Sequence, residues 1–301
     1  MARSFLSLES LPAADLVSIL EATRTLKAER GRHAAQPLRG QCWGPIFTKS
    51  STRTRVSFEV AIREFGGDAL FLSANDLQLG RGEPLKDTAR VLGRMVHGLV
   101  VRTFAQSDLD ELAHFSGLPV VNALTDAEHP CQIVADLFTI GEKLGDWRGK
   151  RVCFLGDGAC NVPVSWLWAA AKLDFELVIG APAAYQPDAE LRARLGNRGN
   201  IRYETDPRAA VQGADVLYTD VWVSMGKEAE SAGRIAELRP WQLNTGLLAQ
   251  AKPGAIVLHC LPAYRGQEIT EEVLESHADL IFTQAENRLH AQKSVLAWCL
   301  A

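Results

Sequence analysis

No two of the six cysteines stand in a C-x-x-C pair, so the usual zinc-ribbon and dithiol-redox spacings are missing. No apolar run approaches the roughly 20 residues that a membrane-spanning helix needs. Excess positive charge is absent too: the formal net charge is -4, which gives a nucleic-acid partner no support. The start of the chain has neither the long apolar stretch nor the cleavage pattern of a secretory leader. A phosphate loop of the form G-x-x-x-x-G-K-[ST] is lacking, so nucleoside triphosphate chemistry is not implied. No repeat or low-complexity tract interrupts the sequence. These absences favour a reduced, cytoplasmic setting, with the cysteines as buried free thiols and neither nucleic acid nor membrane as a partner.

What is present is an ordinary globular composition, 47% hydrophobic and 23% charged, over 301 residues. That length fits two domains at roughly 100–200 residues each. Apolar spacing predicts a helix over 15–30, with Leu16, Ile19, Leu20 and Leu26 on one face, and another through Phe58, Ile62 and Phe65. Strands are predicted at 41–47, 69–72, 98–102 and 120–122, with a helix over 87–96 between them. A helix carrying Ile133, Leu137, Ile140 and Leu144 closes the first half near Gly145. The second half restarts with a strand at 151–155, and more are expected at 176–179, 216–218, 255–259 and 280–282, before a final helix over 288–300. Alternating strands and helices imply an α/β fold with parallel sheets covered on both faces.

Five short motifs carry candidate chemistry, each with a plainer reading beside it. Ser51-Thr52-Arg53-Thr54-Arg55 falls where a strand should end and a helix begin. A hydroxyl there caps the helix, the free N–H groups suit an anion, and arginine forks onto phosphate oxygens. The plainer reading is a capped helix with surface arginines. His129-Pro130-Cys131-Gln132 offers an imidazole donor and an amide, or else a turn with a solvated histidine. Cys131 reads as a structural thiol rather than a nucleophile.

Gly156-Asp157-Gly158-Ala159-Cys160-Asn161 follows a strand, but Asn161 replaces the third glycine of a dinucleotide fingerprint. Nicotinamide binding is the weaker reading, and a turn presenting Asn161 to a polar ligand fits equally well. Asp220, followed by Ser224-Met225-Gly226, suits an ammonium and a carboxylate or aliphatic stem, or else a surface loop after a strand. His259-Cys260-Leu261-Pro262 ends an apolar strand, or simply bends at Pro262. Three of these motifs fall at strand ends in the second half, where open parallel sheets bind ligands.

Taken together with Glu286-Asn287-Arg288, these segments resemble the ornithine branch of the aspartate/ornithine carbamoyltransferase family, from Phe47 to the final helix. The resemblance implies two doubly wound parallel-sheet domains with the C-terminal helix returning to the first. Residues 1–145 plus 286–301 would bind carbamoyl phosphate, and residues 146–285 ornithine. Ser51, Thr52, Arg53 and Thr54 would hold the phosphate, and Gln78 would be lent to a neighbouring subunit's site, which implies a homotrimer or an assembly of trimers. Arg102, His129, Cys260 and Arg288 would form the catalytic set, with Gln132 on the carbamoyl nitrogen. Cys260 and Leu261 would border the carbamoyl group and meet the δ-amine, chiefly through backbone carbonyls. Asn161, Asp220, Ser224 and Met225 would hold the amino-acid end of ornithine. No metal or cofactor is implied. The sequence departs from the family pattern at Cys160, where asparagine is common, and at Tyr264, where histidine is usual.

The same reading disfavours aspartate, since Asp220 is aimed at an ammonium and Ser224-Met225-Gly226 matches the ornithine branch; putrescine, which lacks the carboxylate that Asn161 would serve; and acylated ornithine, which has no α-ammonium for Asp220. A nicotinamide-linked dehydrogenase built on 156–161 and a catalytically silent scaffold are the alternatives of a different kind. The full set of Arg53, Arg102, His129, Asp220 and Arg288 argues against a scaffold.

Overall fold

The computed structural model describes residues 3–73, 82–223 and 231–301. The chain divides into two compact units, Met1–Phe138 with Glu286–Ala301 and Thr139–Ala285. Elements follow in the order α1 (Ala13–Ala28), β1 (Cys42–Phe47), α2 (Thr52–Glu64), β2 (Asp68–Ala69), β3 (Leu72–Ser73), α3 (Leu85–Leu92), β4 (Gly98–Arg102), α4 (Gln106–Ser116), β5 (Val120–Leu124) and α5 (Pro130–Leu144). The second series is β6 (Arg151–Leu155), α6 (Asn161–Ala170), β7 (Glu176–Gly180), α7 (Ala189–Leu195), β8 (Ile201–Glu204), α8 (Pro207–Val211), β9 (Val216–Thr219), α9 (Ser231–Leu238), α10 (Thr245–Leu248), β10 (Ile256–His259), α11 (Glu271–Ser276) and α12 (Ala278–Leu300).

Each unit is built on its own five-stranded sheet, and every strand pair in both is parallel. In the first, the order is β2-β1-β4-β5, with β3 also on β1; in the second it is β10-β9-β6-β7-β8. Both orders reverse direction beside the first strand of their unit, between β1 and β4 and between β6 and β9. Such switch points open a crevice at the carboxyl ends of the strands. The fold is therefore the doubly wound α/β arrangement expected from the alternating pattern.

The cores follow from the strand sequences. Ile46, Leu99, Val101, Leu109, Leu112 and Val120 cluster in the first unit. Cys153, Leu155, Val178, Leu217 and Val257 do so in the second. Strands covered on both faces bury consecutive residues, as residues 43–47 of β1 and the fully buried β9 and β10 show.

Two expectations need correction. The strand expected over 69–72 is split into β2 and β3, which pair with Cys42–Trp43 and with Ile46–Phe47 of β1. The break falls opposite Pro45. The Gln41 and Trp43 carbonyls accept from Asp68 and Leu70 on that side, so by alternation Pro45 also faces it, and it has no N–H to give. The strand expected over 280–282 is part of α12, a helix of 23 residues. Three apolar residues cannot distinguish a strand from a helical turn; Ile281 enters the second core while Phe282 is 56% exposed.

Residues 286–300 of α12 lie in the first unit, docked on α1 and α2. Thr23 and Ser294 share a hydrogen bond of 2.7 Å, Lys27 donates to Asn287 Oδ1 at 2.7 Å, and buried Lys293 pairs with Glu64. No described helix is long and apolar enough to cross a membrane.

Candidate functional site

In the first unit, β1 delivers the chain to the amino end of α2. Ser51 has extended backbone and caps the helix: its Oγ accepts from the Thr54 N–H at 3.3 Å and its hydroxyl donates to Thr54 Oγ1 at 2.9 Å. Thr52 occupies the exposed first helical position, Thr54 is fully buried, and Arg53 lies between these extremes. Arg53 Nε is buried with no hydrogen-bond partner among the described residues. An arginine that spends no donor on its own protein there is available to an anion. Arg55 points elsewhere, paired with Glu59 at 2.8 Å and lying over the Phe71 ring at 3.6 Å.

The register β1–β4–β5 brings three further segments to the same sheet edge. Phe47 is opposite Arg102, and Arg102 opposite Leu124. Arg102 thus ends the strand beside the α2 cap, with the Thr48 N–H on its carbonyl at 2.9 Å. The loop after β5 carries His129, and Pro130 opens α5 at the position where its missing N–H costs nothing. From α12, Arg288 donates to Thr54 Oγ1 at 2.6 Å, both residues being buried.

His129 is buried, and burial first, then the guanidiniums of Arg288 and Arg102, hold its pKa well below the usual histidine value. A neutral imidazole flanked by two cations can donate a hydrogen bond but resists taking a proton. Gln132, on the first turn of α5, donates to Asp136 at 2.8 Å, and its Oε1 is buried without a partner among the described residues. That oxygen suits an incoming N–H. Cys131 is buried, donates to the Asn122 carbonyl at 3.3 Å and is pushed up to about 12 by burial, so it stays a thiol.

Lys49, which the sequence did not single out, is buried beside this edge. It pairs with Asp126 and lies 4.0 Å from the centroid of the Phe104 ring. It thereby ties the loop before α2 to the loop before His129.

In the second unit the register again gathers the candidates. Leu155 pairs with Thr219, and Thr219 with His259, so Gly156, Asp220 and Cys260 leave their strands side by side. The turn after β6 requires its glycines: Gly156 has φ +132°, and a Cβ at Gly158 would stand 2.5 Å from Ile179. Asn161 is the first residue of α6, at the helix end whose N–H groups suit an anion.

Asp220 accepts the Cys260 S–H at 2.9 Å and the Val221 N–H at 2.7 Å on Oδ1. Burial raises its pKa above the usual aspartate value, with His259, Cys260 and Val221 opposing. His259 Nδ1 accepts from the Leu261 N–H at 2.9 Å, and Nε2 meets Glu268 Oε1 at 3.1 Å. The tautomer follows, with the proton on Nε2. Leu261 is at φ +59° and its bond to Pro262 is cis. His259 thus does more than precede a bend: it anchors the backbone of the Cys260–Leu261 segment.

The ligand-type atoms of Asp220, His259 and Cys260 lie within 4.8 Å of one another, the one such trio among the described residues. Both His259 nitrogens are engaged, by Leu261 and Glu268, and the Cys260 thiol is donated to Asp220, so these atoms are already committed to other partners.

Arg234 of α9 was also not anticipated. It is buried, pairs with Asp157 in the glycine turn and donates from Nε to the Trp222 carbonyl at 3.0 Å. It links the segment leading to Asn161 with the segment following Asp220. No local pattern marks Arg234 or Lys49, because Asp157 and Asp126 are distant in sequence. Gln78, Ser224 and Met225 lie outside the described residues.

Similarity to known proteins runs along the whole chain. Residues 3–142 match the family model described as the carbamoyl-P binding domain of aspartate/ornithine carbamoyltransferase, and residues 148–299 that of its Asp/Orn binding domain. The ornithine carbamoyltransferase of Akkermansia muciniphila is 55% identical over 296 residues, covering 98% of this chain and 97% of that protein. That of Synechococcus elongatus is 50% identical over 303 residues, with 99% and 97% covered. Among solved structures, the ornithine carbamoyltransferase of Pyrococcus furiosus aligns with a TM-score of 0.93 at 44% identity, covering 98% of this chain and 96% of that one. The anabolic ornithine carbamoyltransferase of Campylobacter jejuni gives 0.93 at 41%, with 99% and 98% covered.

Proposed function

The chain belongs to the aspartate/ornithine carbamoyltransferase family, and from that premise we propose that it transfers the carbamoyl group of carbamoyl phosphate to the δ-amine of L-ornithine, giving L-citrulline and phosphate. The observation that carries the reading is the gathering of Thr54, Arg102, His129 and Arg288 at the switch-point edge of the first sheet. A buried patch of fixed donors with two guanidiniums is what a phosphorylated carbonyl compound needs.

In this proposal residues 1–145 with 286–301 bind carbamoyl phosphate and residues 146–285 bind ornithine. Ser51, Thr52, Arg53 and Thr54 hold the phosphate at the α2 terminus. Arg102, His129 and Arg288 polarise the carbonyl, and the free Oε1 of Gln132 receives the carbamoyl N–H. Asn161 at the start of α6, with Ser224 and Met225, holds the ornithine carboxylate end. Asp220 pairs with the α-ammonium, and the Cys260 and Leu261 carbonyls meet the δ-amine.

The amine must be neutral to attack, and its reference pKa is near that of lysine, about 10.4. Low dielectric and backbone carbonyls favour the neutral form. The C–N bond forms as the carbonyl oxygen gains charge, which Thr54, Arg102, His129 and Arg288 stabilise without rearranging. The C–O bond to phosphate then breaks, and the leaving dianion takes the amine proton. His129 serves as a donor, since its neutral state is the one the site enforces.

A homotrimer, with Gln78 lent to the neighbouring site, and a cytoplasmic location complete the proposal. The six free cysteines suit a reducing compartment. The direct experiment is a colorimetric ureido assay with carbamoyl phosphate against ornithine, acetylornithine, putrescine and aspartate. Ornithine is expected to lead by a wide margin; equal or greater turnover of any other acceptor would overturn the assignment.

A further inference from the structure

The residue before His129 is a buried carboxylate that the mechanism above leaves unused. Glu128 is 3% exposed, and no ion pair holds it among the described residues. Its carboxylate instead collects three neutral donors from the amino-terminal segment: the Ser7 hydroxyl at 2.5 Å, the Leu8 N–H at 2.8 Å and the Glu9 N–H at 3.5 Å. The backbone of Glu128 is fixed from the other side. Its N–H donates to Thr125 Oγ1 at 3.1 Å and its carbonyl accepts the Thr125 N–H at 2.9 Å.

The segment it grips is rigid in turn. Phe5 bridges to Val121, with its N–H on the Val120 carbonyl and its carbonyl receiving the Asn122 N–H, both at 2.8 Å. Asn122 Nδ2 donates to the Leu6 carbonyl at 2.8 Å, and Phe5 and Leu8 are fully buried. Phe5 thus adds a single parallel bridge beside β5, and Glu128 ties the turn that follows it to the loop carrying His129.

We propose that Glu128 is a positioning residue for carbamoyl transfer, fixing the His129 imidazole by tying its backbone to Ser7–Glu9. The proposal rests on the reading of His129 as a carbonyl donor. Burying a carboxylate on neutral donors alone is a costly way to attach a loop, and burial lifts this one to about 7. The groups acting on the carboxylate are few: Ser7, Leu8 and the like-charged Glu9 from the amino-terminal segment. A short, three-donor grip holds a direction that a water-filled contact would not, and catalytic donors lose rate when displaced by about 1 Å.

The test uses the full-length enzyme and steady-state kinetics in both substrates. Glu128→Ala is expected to lower kcat/KM for carbamoyl phosphate by about 10- to 100-fold, with KM for ornithine at saturating carbamoyl phosphate within about threefold of wild type. Glu128→Gln keeps the shape and the Leu8 acceptor and is expected to recover most of that loss. Ser7→Ala, which removes the shortest contact without touching the loop, is expected to give a smaller drop in the same parameter.

Equal rises in both KM values, or no rescue by glutamine, would mean that Glu128 only supports the fold. Should Glu128→Ala not fold, Ser7→Ala and Glu128→Gln decide: wild-type kcat/KM for carbamoyl phosphate in Ser7→Ala overturns the proposal. His129→Asn is measured in parallel. If it turns over normally, the reading of His129 itself fails; if it is crippled while Glu128→Ala is not, only the positioning role fails.

Discussion

Arg288 donates to Thr54 Oγ1 at 2.6 Å across 234 positions of sequence, and both side chains are buried. One contact therefore joins the last helix to the helix cap that presents Arg53. The Thr54 hydroxyl is also the acceptor of Ser51, so cap, threonine and guanidinium form one chain of hydrogen bonds.

Arg288→Ala should reduce kcat by about 10²–10³, the usual cost of losing one transition-state donor. Lysine should not rescue it, because a point charge cannot reproduce the fork. Thr54→Val, which keeps the volume, should lose less. Rapid-quench measurement of citrulline formation checks both, and near-normal turnover in Arg288→Ala would remove it from the catalytic set.

Asp220→Asn should raise KM for ornithine by at least about tenfold, since it removes a charge from a largely desolvated pairing site. Carbamoyl phosphate binding, followed by calorimetry, should change little. Burial raises the Asp220 pKa, so in wild type the KM for ornithine should begin to climb at a higher pH than an ordinary aspartate would give as the solution is acidified. A KM that begins to climb only at or below the pH expected of an ordinary aspartate would contradict this.

Stability should depend on pH through three buried groups. Burial holds His129 well below 6.5 and His290 at about 4, so the unfolded chain takes up these protons first and stability falls as pH drops from about 6.5. Glu128, raised to about 7, has the opposite sign: its contribution is full below about 4.5 and is lost as pH rises through 7. Two histidines outweigh one carboxyl between these limits. Urea midpoints at pH 5, 6 and 7 should rise with pH, more steeply in Glu128→Gln and less steeply in His290→Gln. The reverse ordering of the two variants would show the signs to be wrong.

A homotrimer that shares Gln78 makes a further prediction. Arg53→Ala and Gln78→Ala should each be nearly inactive, yet refolding them together should restore part of the activity, because some mixed sites then carry neither change. Light scattering should give three times the 32.9 kDa chain mass, or a multiple of it. Mixtures no more active than the separate variants would argue for sites completed within one chain.

Several site features were readable from single residues. Ser51 before a helical pattern is a cap by chemistry, and Gly156-Asp157-Gly158 after an apolar strand is a tight turn, its glycines allowing the positive φ at 156 and the close approach of Ile179 to 158. Strand ends were readable too: β6 is a short apolar run that stops at Gly156, and β9 one that stops before Asp220. The division of the 69–72 strand was not, because it depends on which side of β1 Pro45 faces. Nor was the helical state of 280–282, since an apolar triplet has no period of its own.

The amino-acid order by itself determined the alternation of strand and helix, the caps and turns, and the chemical kinds of group available, because these depend on periodicity and on each residue's own backbone freedom. Only the tertiary structure decided which groups meet: Arg288 with Thr54, Lys49 with Asp126, Arg234 with Asp157, Glu128 with Ser7. Those pairings arise from parallel register and from the docking of the last helix. A carboxylate's desolvation, a histidine's neutrality and a guanidinium's aim are properties of that packing, which no local window of sequence contains.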